Sequence, residues 1–471
     1  MAAMYRTQGT ATDRKKFTVS MWVKIAKLGS EKTAYQFMDF YANGSDRISL
    51  YHNPTDYLQI YHEKANSGSN EVAWISDAII RDKTAWYHFV WRADSTQATA
   101  ADRFRVYING QQITLNSTTY PTQNFEFAQG TSSYVQYIGR YGGNTNNNFE
   151  GVMSHVNFCD GYSYGPDSFG STDAVTGIWK INTSPSVTYG NNGFFLKMED
   201  STNLDLDSSP NNHSFTTGGG TVTATLDNPS NNFCVLNPLH RSRMNTNNAG
   251  DYLINASTTL DTTSSNSMKA IVTGTIGAKP GTGKFYWEYK IIDTTRLAAG
   301  ITMENIMTFP QPYYDETEYS AIMMNTNGTI TGRYTGSAAD EFGSGTSNTA
   351  NDIIGVALDL DNKALYIHKN GTYISNGSNV GVPTSGSSRT GSLIEGLTGS
   401  RDDYLPDGEF IFPVAMDVSG TGGAKVEFNF GNGFFGTTQI SSEGTNASNI
   451  GKFEYDVPAG YTALSTKGLN E

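Results

Sequence analysis

Apolar and polar residues alternate along many short segments of the chain. In FTVSMWVKI (residues 17–25) every second residue from Phe17 to Ile25 is apolar, and WYHFVWRAD (86–94) alternates in the same way. A period of two predicts β-strands that bury one face. The same interpretation covers segments 104–115, 134–140, 151–161 and 193–199, and then 284–292, 320–325, 329–334, 352–374, 411–418 and 424–432. No long segment has the 3.6-residue apolar period of a helix, so we predict an all-β chain.

Asparagine-glycine pairs separate several of these segments. Asn109-Gly110, Asn327-Gly328 and Asn370-Gly371 each stand between two predicted strands. Both residue types tolerate the positive φ that a tight hairpin turn requires, so neighbouring strands are expected to pair antiparallel. Many short strands with such turns are typical of sandwiches or barrels, and the lack of a fixed-period repeat argues against propellers and solenoids.

The composition changes between residues 200 and 250, which are rich in Ser, Asn, Thr, Gly and Asp. Such a stretch is typical of a loop-rich connection. A chain of 471 residues has room for two β-rich domains. We therefore predict two tandem antiparallel β-sandwiches, in domains 1–235 and 236–471.

The charge balance limits the partners of the protein. Lys and Arg total 32 and Asp and Glu total 45, which gives a net charge of −13. An acidic chain is a poor match for nucleic-acid phosphates or an anionic membrane, so we expect no nucleic acid as a partner and no membrane insertion. No apolar run is long enough for a membrane helix, and no conventional secretion signal is recognised at the start.

The two cysteines, Cys159 and Cys234, are too few for a disulfide framework or a zinc cluster. We expect two buried thiols, and the sequence leaves a single bridge between them open.

No catalytic set is recognised in the sequence. A glycoside hydrolase needs two carboxylates about 5–10 Å apart, which on one strand face means alternate positions. The nearest candidates, at 198–200, 205–207 and 359–361, each lie beside a predicted turn. The HExxH motif is absent, and seven scattered histidines suggest no Ser-His-Asp set. We therefore expect a protein that is not an enzyme.

Calcium is the one candidate cofactor, and no motif requires a cofactor. Calcium binds several hard oxygens from Asp, Asn and backbone carbonyls on loops. Asp205, Asp207 and Asn211 share one loop, and Asp160 follows a predicted strand. The alternative, that these side chains only satisfy the backbone of their own turns, stays open.

Aromatic residues next to amides and glycines mark candidate recognition loops for a receptor or glycan. A glycan site needs exposed aromatic rings that pack on sugar rings, with amides or carboxylates for the hydroxyls. Four loops have this composition, and their candidate contact residues are Tyr141, Asn144, Tyr162, Tyr164, Tyr313, Tyr314 and Tyr404. Each of these side chains has the alternative of packing on its own sandwich. Core or near-core positions are predicted for Trp22, Trp86, Trp91, Trp179 and Trp287.

The first half resembles the laminin G-like, concanavalin A-like jelly roll. The pieces that carry the resemblance follow the order of that family and are FTVSMWVK (17–24), WYHFVWRAD (86–94), RVYINGQQI (105–113), YIGR (137–140), FEGVMSHVNFCDG (149–161) and GFFLKMED (193–200). The resemblance implies a bent sandwich, and members of this family often hold one calcium ion.

The second half resembles a SPRY domain, another bent β-sandwich. GKFYWEYKI (283–291) is similar to its opening strand, and GVALDLDNKALYIHKNGT (355–372) is similar to its central hairpin. PVAMDVSGTGGAKVEFNFGN (413–432) is similar to the closing strands, and YDVPAGYTALST (455–466) contains the Pro-x-Gly-Tyr-x-x-Leu finish of the family.

The tandem of these two sandwiches, joined by DNPSNNFCVLNPL (227–239), is similar to virion fibre and appendage proteins of tailed bacteriophages, especially marine ones. The resemblance implies a tail fibre, horn or capsid-decoration protein that is assembled in the host cytoplasm, exposed on the particle and involved in adsorption to a host-surface glycan or receptor. It also implies contacts with other virion proteins and a homo-oligomer, a trimer by analogy. The alternatives are a cellular or secreted glycan-binding lectin or adhesin, and a degraded glycanase.

Overall fold

The computed structural model describes residues 3–29, 35–44, 46–63, 72–116, 119–144, 147–242, 252–263, 270–293, 297–303, 321–334, 340–343, 347–417 and 423–470. The chain divides into two compact units, Met1–Ala224 with Asn228–Ser230, and Thr225–Asp227 with Asn231–Glu471. Each unit has sheets and a hydrophobic core of its own.

The strands of the first unit are short and separated by turns. They are β1 (Ala3–Thr7), β2 (Lys16–Ile25), β3 (Tyr35–Asn43), β4 (Asp46–His52), β5 (Tyr57–Glu63), β6 (Val72–Ile79), β7 (Tyr87–Asp94), β8 (Phe104–Ile108), β9 (Gln111–Gln112), β10 (Val135–Ile138), β11 (Gly151–Asp160), β12 (Gly170–Thr172), β13 (Trp179–Ile181), β14 (Phe194–Leu196) and β15 (Thr216–Gly218).

These strands form two antiparallel sheets and one separate hairpin. The first sheet has seven strands in the order β15-β1-β10-β3-β4-β5-β6, and the second has six in the order β14-β11-β2-β7-β8-β9. Strands β12 and β13 pair with each other. The inward residues of both sheets join in one core, whose largest members include Phe17, Phe37, Phe40, Trp74, Phe89, Trp91 and Phe158.

Strand β2 differs from the prediction in its burial. The alternation over 17–25 predicts one buried face, and those residues do belong to the core. The opposite face is buried as well, because the segment after β11 covers it. Thr18 Oγ1 donates a hydrogen bond to the carbonyl of Tyr162 (3.0 Å) and accepts one from the N–H of Tyr164 (2.8 Å).

The second unit is also built from short strands. They are β16 (Leu236–Ser242), β17 (Leu253–Ile254), β18 (Thr259–Asp261), β19 (Ala270–Gly274), β20 (Lys284–Asp293), β21 (Leu297–Met303), β22 (Ala321–Asn325), β23 (Thr329–Arg333), β24 (Asp340–Gly343), β25 (Ile353–Asp359), β26 (Ala364–Lys369), β27 (Thr372–Tyr373), β28 (Ile411–Asp417), β29 (Lys425–Asn429), β30 (Phe434–Phe435), β31 (Thr438–Gln439) and β32 (Thr462–Ala463).

Two sheets enclose the core of the second unit. One has the order β16-β19-β28-β21-β22-β23-β24, and the other has the order β17-β18-β29-β20-β25-β26-β27, with β32 parallel to β20. Trp287, Tyr286, Tyr289, Phe428 and Tyr366 are among the buried residues between them. The chain is therefore all-β and built from two tandem sets of largely antiparallel sheets, which confirms the predicted fold class.

The predicted turns differ in detail. Asn109 and Gly110 both have positive φ, of 48° and 80°, and so do Asn370 and Gly371, of 48° and 83°. At Asn327-Gly328 the glycine alone has positive φ, because the turn there closes with the N–H of Gly328 on the carbonyl of Asn325 (3.0 Å).

Helices are short in the described residues. The α-helix α1 spans Arg401–Tyr404, and 3-10 turns span Ala100–Asp102, Pro166–Ser168, Pro383–Ser388, Leu393–Gly396 and Gly468–Asn470. Among the described residues, no helix has the length and apolar character needed to cross a membrane. Cys159 and Cys234 are both buried free thiols.

Candidate functional site

Three of the six tryptophans line one concavity on the first unit. We call it the tryptophan pocket, and its lining residues are Trp22, Trp86, Asn109, Gln111, Thr172, Gly177, Ile178 and Trp179. Its volume is about 390 Å³, within the range of roughly 300–1,000 Å³ that is typical of small-molecule sites.

Two of the three tryptophans come from the outer face of the six-stranded sheet. Trp22 lies on β2 between core residues Met21 and Val23, so its side chain is on the face opposite the core. Trp86 directly precedes β7. Trp22 and Trp86 are 4% and 9% exposed, so they form the floor of the pocket.

His88 fixes the positions of two tryptophan rings. Its imidazole stacks on Trp22, with ring centroids 4.8 Å apart and an interplanar angle of 20°. Trp179 Nε1 donates a hydrogen bond to His88 Nδ1 (3.0 Å). Because an indole N–H can only donate, the proton of the neutral imidazole lies on Nε2, which donates to Ser20 Oγ (2.9 Å). Burial lowers the pKa of His88 to about 3, so the ring is neutral near pH 7.

The third tryptophan comes from the β12–β13 hairpin, which folds back over the β8–β9 turn. The Trp179 ring lies so close to two glycines that a Cβ at Gly110 would come within 2.5 Å of it, and one at Gly170 within 2.7 Å. Gly110 also has a φ of +80° in its turn. Glycine at these two positions therefore leaves the space that the Trp179 indole occupies in the pocket wall.

Asp173 shapes the turn of this hairpin. Its carboxylate accepts hydrogen bonds from the N–H groups of Val175 (3.1 Å) and Thr176 (2.8 Å) and pairs with Lys180 Nζ (2.7 Å). The bond from Lys180, followed by those from Thr176, lowers the pKa of Asp173 below its usual range. Next to this turn Ile178 is 61% exposed and contributes an aliphatic side chain to the pocket.

The polar lining of the pocket is uncharged. Asn109, Gln111 and Thr172 supply amide and hydroxyl groups, and none of the described residues that line the pocket is charged. Asn109 Oδ1 accepts a hydrogen bond from the N–H of His88 (2.8 Å), which orients that amide. Aromatic rings beside neutral amides and a hydroxyl are the groups that contact the C–H faces and the hydroxyls of a sugar.

The sequence-predicted contact residues of the first unit lie elsewhere. The Tyr141 ring packs edge-on against Tyr41, with centroids 5.5 Å apart, and Asn144 Oδ1 accepts a hydrogen bond from the N–H of Asn147 (3.2 Å). Tyr162 and Tyr164 stack on each other, with centroids 6.1 Å apart, and pack on the outer face of the six-stranded sheet. These residues do not line the tryptophan pocket.

In the second unit Tyr404 is buried, with 3% of its side chain exposed. It lies at the end of α1 with its ring edge-on to Tyr334, 5.5 Å between centroids, and burial raises its pKa to about 12. The ring faces its own core, so the structure does not place Tyr404 on a recognition surface. Tyr313 and Tyr314 lie outside the described residues.

Two of the candidate calcium ligands, Asp207 and Asn211, make hydrogen bonds to the backbone. Asp207 Oδ1 accepts the N–H groups of Phe195 and Ser209, both at 2.9 Å, and its Oδ2 accepts the N–H of His213 at 2.8 Å. Asn211 Nδ2 donates to the carbonyl of Gly193 (2.8 Å). The bonds from Ser209 and His213 are contacts within the turn, as the alternative interpretation expects, whereas Phe195 and Gly193 lie on or next to strand β14.

Asp160 has one carboxylate oxygen without a hydrogen-bond partner. Its Oδ2 accepts the N–H groups of Thr12 and Asn192, both at 3.0 Å, while Oδ1 is buried without a hydrogen-bond partner. Burial raises the pKa of Asp160. Asp205 is only half-buried, and the described residues contain no group of three or more His, Cys, Asp or Glu side chains able to hold a metal ion.

Without such a group, the described residues do not show the six to eight oxygen ligands that a calcium ion takes. Calcium binding stays a prediction, which calorimetric titration of the metal-stripped chain tests.

Two segments match the letters of functional motifs without their structural context. GYSYG (161–165) has the form GxSxG, but Ser163 Oγ accepts a hydrogen bond from Arg92 Nε (2.9 Å) and only the 3-10 turn Pro166–Ser168 follows, in place of the helix of a nucleophile elbow. GNGFFG (431–436) has the form GxGxxG, but it leads into strand β30 where a dinucleotide site needs a helix.

The prediction from sequence misses the tryptophan pocket. Trp91 and Trp287 are fully buried, as expected, whereas Trp22, Trp86 and Trp179 line the pocket. The alternation over 17–25 already places Trp22 opposite the core, which is a usable signal. No strand pattern marks the segment around Trp179, so the sequence does not show that it returns over β2.

Comparison with known proteins locates a family match in the first unit. Residues 4–162, about a third of the chain, match the family described as the concanavalin A-like lectin/glucanases superfamily. The chain matches no curated protein.

Several solved structures are similar at low identity. The SPRY domain of human HERC1 is 15% identical over 41% of this chain and 96% of its own, with a TM-score of 0.27. The heptameric SAP-like pentraxin of Limulus polyphemus is 15% identical over 34% and 70%, with a TM-score of 0.25. Domains LG4-5 of mouse laminin α1 are 7% identical over 90% and 85%, with a TM-score of 0.26. The chain thus contains a laminin G-like, concanavalin A-like domain and has SPRY-like structural neighbours; likenesses this weak do not bear on function.

Proposed function

We propose that the protein binds glycans through the tryptophan pocket and does not alter them chemically. The observation that carries this proposal is the gathering of Trp22, Trp86 and Trp179 with the neutral side chains of Asn109, Gln111 and Thr172 in one concavity. The match of residues 4–162 to a superfamily of lectins and glucanases supports a sugar ligand.

The uncharged lining favours neutral sugars. An acidic sugar gains most from a guanidinium or ammonium partner, and the part of the lining that the structure describes contains neither group. The eight described lining residues also include no carboxylate, whereas glycoside hydrolysis uses a pair of them. Both features support binding without catalysis.

The pocket is ordered before a ligand arrives. The stack of Trp22 on His88 and the hydrogen bond from Trp179 to His88 hold two rings in fixed positions. Rings that are already fixed lose little conformational entropy on binding, so more of the contact energy appears as affinity.

Calorimetric titration of the full chain with neutral oligosaccharides tests this proposal. Trp179→Ala should weaken binding at least about tenfold, or roughly 1.4 kcal/mol. Val175→Ala is the matched control, because Val175 is on the same hairpin, 94% exposed and not part of the pocket lining. Equal affinity of Trp179→Ala and the unaltered chain would contradict the proposal.

We propose in addition that this binding takes place on the surface of a tailed-phage virion, as a fibre, horn or decoration protein in host adsorption. The support is the resemblance of the tandem of two sandwiches to such proteins. Many copies on one particle raise the effective concentration, so that weak sugar contacts suffice for adsorption.

Mass spectrometry of purified particles tests the virion role, since a structural component must co-purify at a fixed copy number. A chain that is found only with cells would favour the alternative, a cellular or secreted lectin or adhesin.

A further inference from the structure

The side-chain amide of Asn109 is oriented by the backbone of His88. The N–H of His88 donates a hydrogen bond to Asn109 Oδ1 (2.8 Å), and the N–H of Asn109 donates one to the carbonyl of His88 (2.9 Å). Because a backbone N–H can only donate, the side-chain atom that faces it must be the amide oxygen and not the nitrogen. The hydrogen bonds of His88 therefore decide which way this amide points.

Asn109 consequently offers hydrogen-bond donors to a ligand. Its Oδ1 is already bonded to His88, whereas no described residue accepts a hydrogen bond from its Nδ2. The residue is half-buried and lines the tryptophan pocket. A carbonyl oxygen has two lone pairs and no hydrogen of its own, so it is the ligand atom that best matches a group that only donates.

The two other polar side chains of the lining are less selective. Gln111 and Thr172 are both exposed. An amide and a hydroxyl can each donate and accept, so they can bond any sugar hydroxyl. The fixed amide of Asn109 is thus the polar group of the lining that can distinguish one neutral sugar from another.

Apolar surface lies directly beside the Asn109 amide. The next residue is Gly110, and a Cβ there would come within 2.5 Å of the Trp179 ring. Ile178, which precedes Trp179, is exposed and contributes its aliphatic side chain to the same lining. A ligand that presents a carbonyl oxygen and a methyl group side by side would use both the donor and the apolar surface.

An acetamido group has this combination. Its carbonyl oxygen and its methyl group are bonded to the same carbon atom, so one group can reach Asn109 Nδ2 and the Trp179 ring together. The amide is planar and can lie flat against an indole. It carries no charge, which matches the uncharged side chains of the described lining.

We propose that the tryptophan pocket selects N-acetylhexosamines, with Asn109 Nδ2 as the donor to the acetamido carbonyl and with Trp179 and Ile178 in contact with the acetamido methyl group. Asn109 is then the residue that determines specificity. The inference rests on the proposed function, because it assigns the class of sugar that the same pocket binds.

Calorimetric titration of the full chain with triacetylchitotriose and with cellotriose tests the inference. The two trisaccharides share one linkage and differ in whether each ring carries an acetamido or a hydroxyl group at the same carbon. Triacetylchitotriose should bind at least about tenfold more tightly, because cellotriose offers neither the carbonyl nor the methyl group. Equal affinities would overturn the inference and leave the proposed function intact.

Asn109→Asp tests the role of the donor. The aspartate keeps an oxygen for the N–H of His88 and tolerates the φ of 48° at this position, but it has no N–H to donate. The preference for triacetylchitotriose should fall to within about threefold. Gln112→Glu is the control, because Gln112 is exposed on β9 outside the pocket lining and the variant adds the same charge nearby.

The control should keep the full preference. Loss of the preference in Gln112→Glu as well would assign the effect to charge and overturn the inference. An undiminished preference in Asn109→Asp would overturn it too, and loss of all binding in Trp179→Ala would then still support the pocket as the sugar site.

Side-chain amide signals of the isotope-labelled, unaltered chain give a second measurement, which does not depend on the folding of variants. Triacetylchitotriose should shift the signals of the Asn109 amide, and cellotriose at equal saturation should not. Asn192 provides the control signal, because its amide is buried and donates to the carbonyl of Gly9 (3.2 Å). Equal shifts of the Asn109 signals with both trisaccharides would overturn the inference.

A methyl glycoside of fucose separates the methyl group from the carbonyl, because it carries a methyl group and no acetamido group. It should bind more weakly than the methyl glycoside of N-acetylglucosamine, and equal or tighter binding would overturn the inference. If no neutral sugar binds at all, the inference and the proposed function are both overturned.

Discussion

At the scale of single residues, His88 connects the core architecture to the pocket. It pairs with Trp22 across β2 and β7, stacks on that ring, and accepts the indole N–H of Trp179 on Nδ1. The imidazole must be neutral for Nδ1 to accept this bond. The geometry of the pocket therefore depends on the protonation state of one buried side chain.

We expect His88 to stay neutral down to acidic pH. Burial lowers its pKa to about 3, against 6.5 for an exposed imidazole. Between these values the unfolded chain binds a proton at His88 and the folded chain does not, so the contribution of His88 to the free energy of unfolding falls as the pH falls from 6.5 towards 3. The ring signals of His88 in NMR spectra should show no titration between pH 8 and pH 4.5, and a midpoint near 6.5 would contradict the network.

Gly110 should not tolerate alanine. An L-residue at a φ of +80° costs about 1–2 kcal/mol, and the added methyl group would displace the Trp179 ring. Gly177→Ala is the matched comparison for stability, since Gly177 has a φ of +71° and open space where the methyl group would lie. Chemical denaturation should show a larger loss for Gly110→Ala, and equal losses would show that the ring contact contributes nothing.

Residue patterns in the sequence predict which side chains of a sheet face the core. They do not predict which segments cover the opposite face of that sheet. The alternation from Phe17 to Ile25 identifies the core residues of β2. On the other face, Thr18 is covered by the segment that contains Tyr162, and Trp22 lies in the pocket with Trp179. Both covering segments are distant in sequence from β2. Local periodicity contains no information on such long-range packing, so a prediction from it gives the three pocket tryptophans core or near-core positions and does not bring them together.

At the scale of elements, the β12–β13 hairpin is the part of the first unit that completes the pocket. It pairs with no other strand among the described residues, so its position depends on Trp179 and on the buried Phe169 before β12, and its turn depends on Asp173. The tip is largely exposed. An element held by so few contacts can be altered without unfolding the sheets beneath it.

Asp173→Ala should loosen the hairpin and lower sugar affinity, with little change in the unfolding of the first unit. The variant removes the acceptor of two backbone N–H groups as well as the partner of Lys180. Lys180→Ala is the control, because it removes only the surface ion pair, and such pairs contribute little. Hydrogen exchange of residues 173–178 should rise in Asp173→Ala and stay near the original rate in Lys180→Ala. The same rise in both variants would assign the effect to the ion pair.

In the second unit, Glu288 on β20 binds the backbone of residues 454–455, which precede strand β32. Its carboxylate accepts the N–H groups of Glu454 and Tyr455, both at 2.8 Å, and the hydroxyl of Tyr286 at 3.0 Å. Burial, the largest cause, raises the pKa of Glu288 to about 7. Between pH 4.5 and 7 the folded chain therefore holds a proton that the unfolded chain lacks.

The contribution of Glu288 to stability should accordingly decrease as the pH rises from 4.5 to 7. Glu288→Gln cannot titrate, and it should reduce this slope in the free energy of unfolding measured by denaturant at pH 5 and pH 8. Its amide accepts at one atom only, so the variant should also be less stable than the original at pH 5. An unchanged slope would show that Glu288 is ionised throughout.

At the scale of the whole molecule, both units are built from short β-strands, but the candidate site lies in the first unit. The first unit carries the tryptophan pocket, and it contains the lectin/glucanase match. The fold class of both units follows from short alternating segments and Asn-Gly turns, which are local signals. The pocket does not follow from them, because it is assembled from β2, the start of β7, the β8–β9 turn and the β12–β13 hairpin.

The indole N–H signals of the six tryptophans test the central claim most directly. Trp22, Trp86 and Trp179 line the pocket, whereas Trp74, Trp91 and Trp287 are fully buried in the cores. The full chain is titrated with a neutral oligosaccharide that binds. The signals of Trp22, Trp86 and Trp179 should shift progressively as ligand is added, and the signals of Trp74, Trp91 and Trp287 should not move. Saturable binding that leaves the signals of Trp22, Trp86 and Trp179 unchanged would contradict the account.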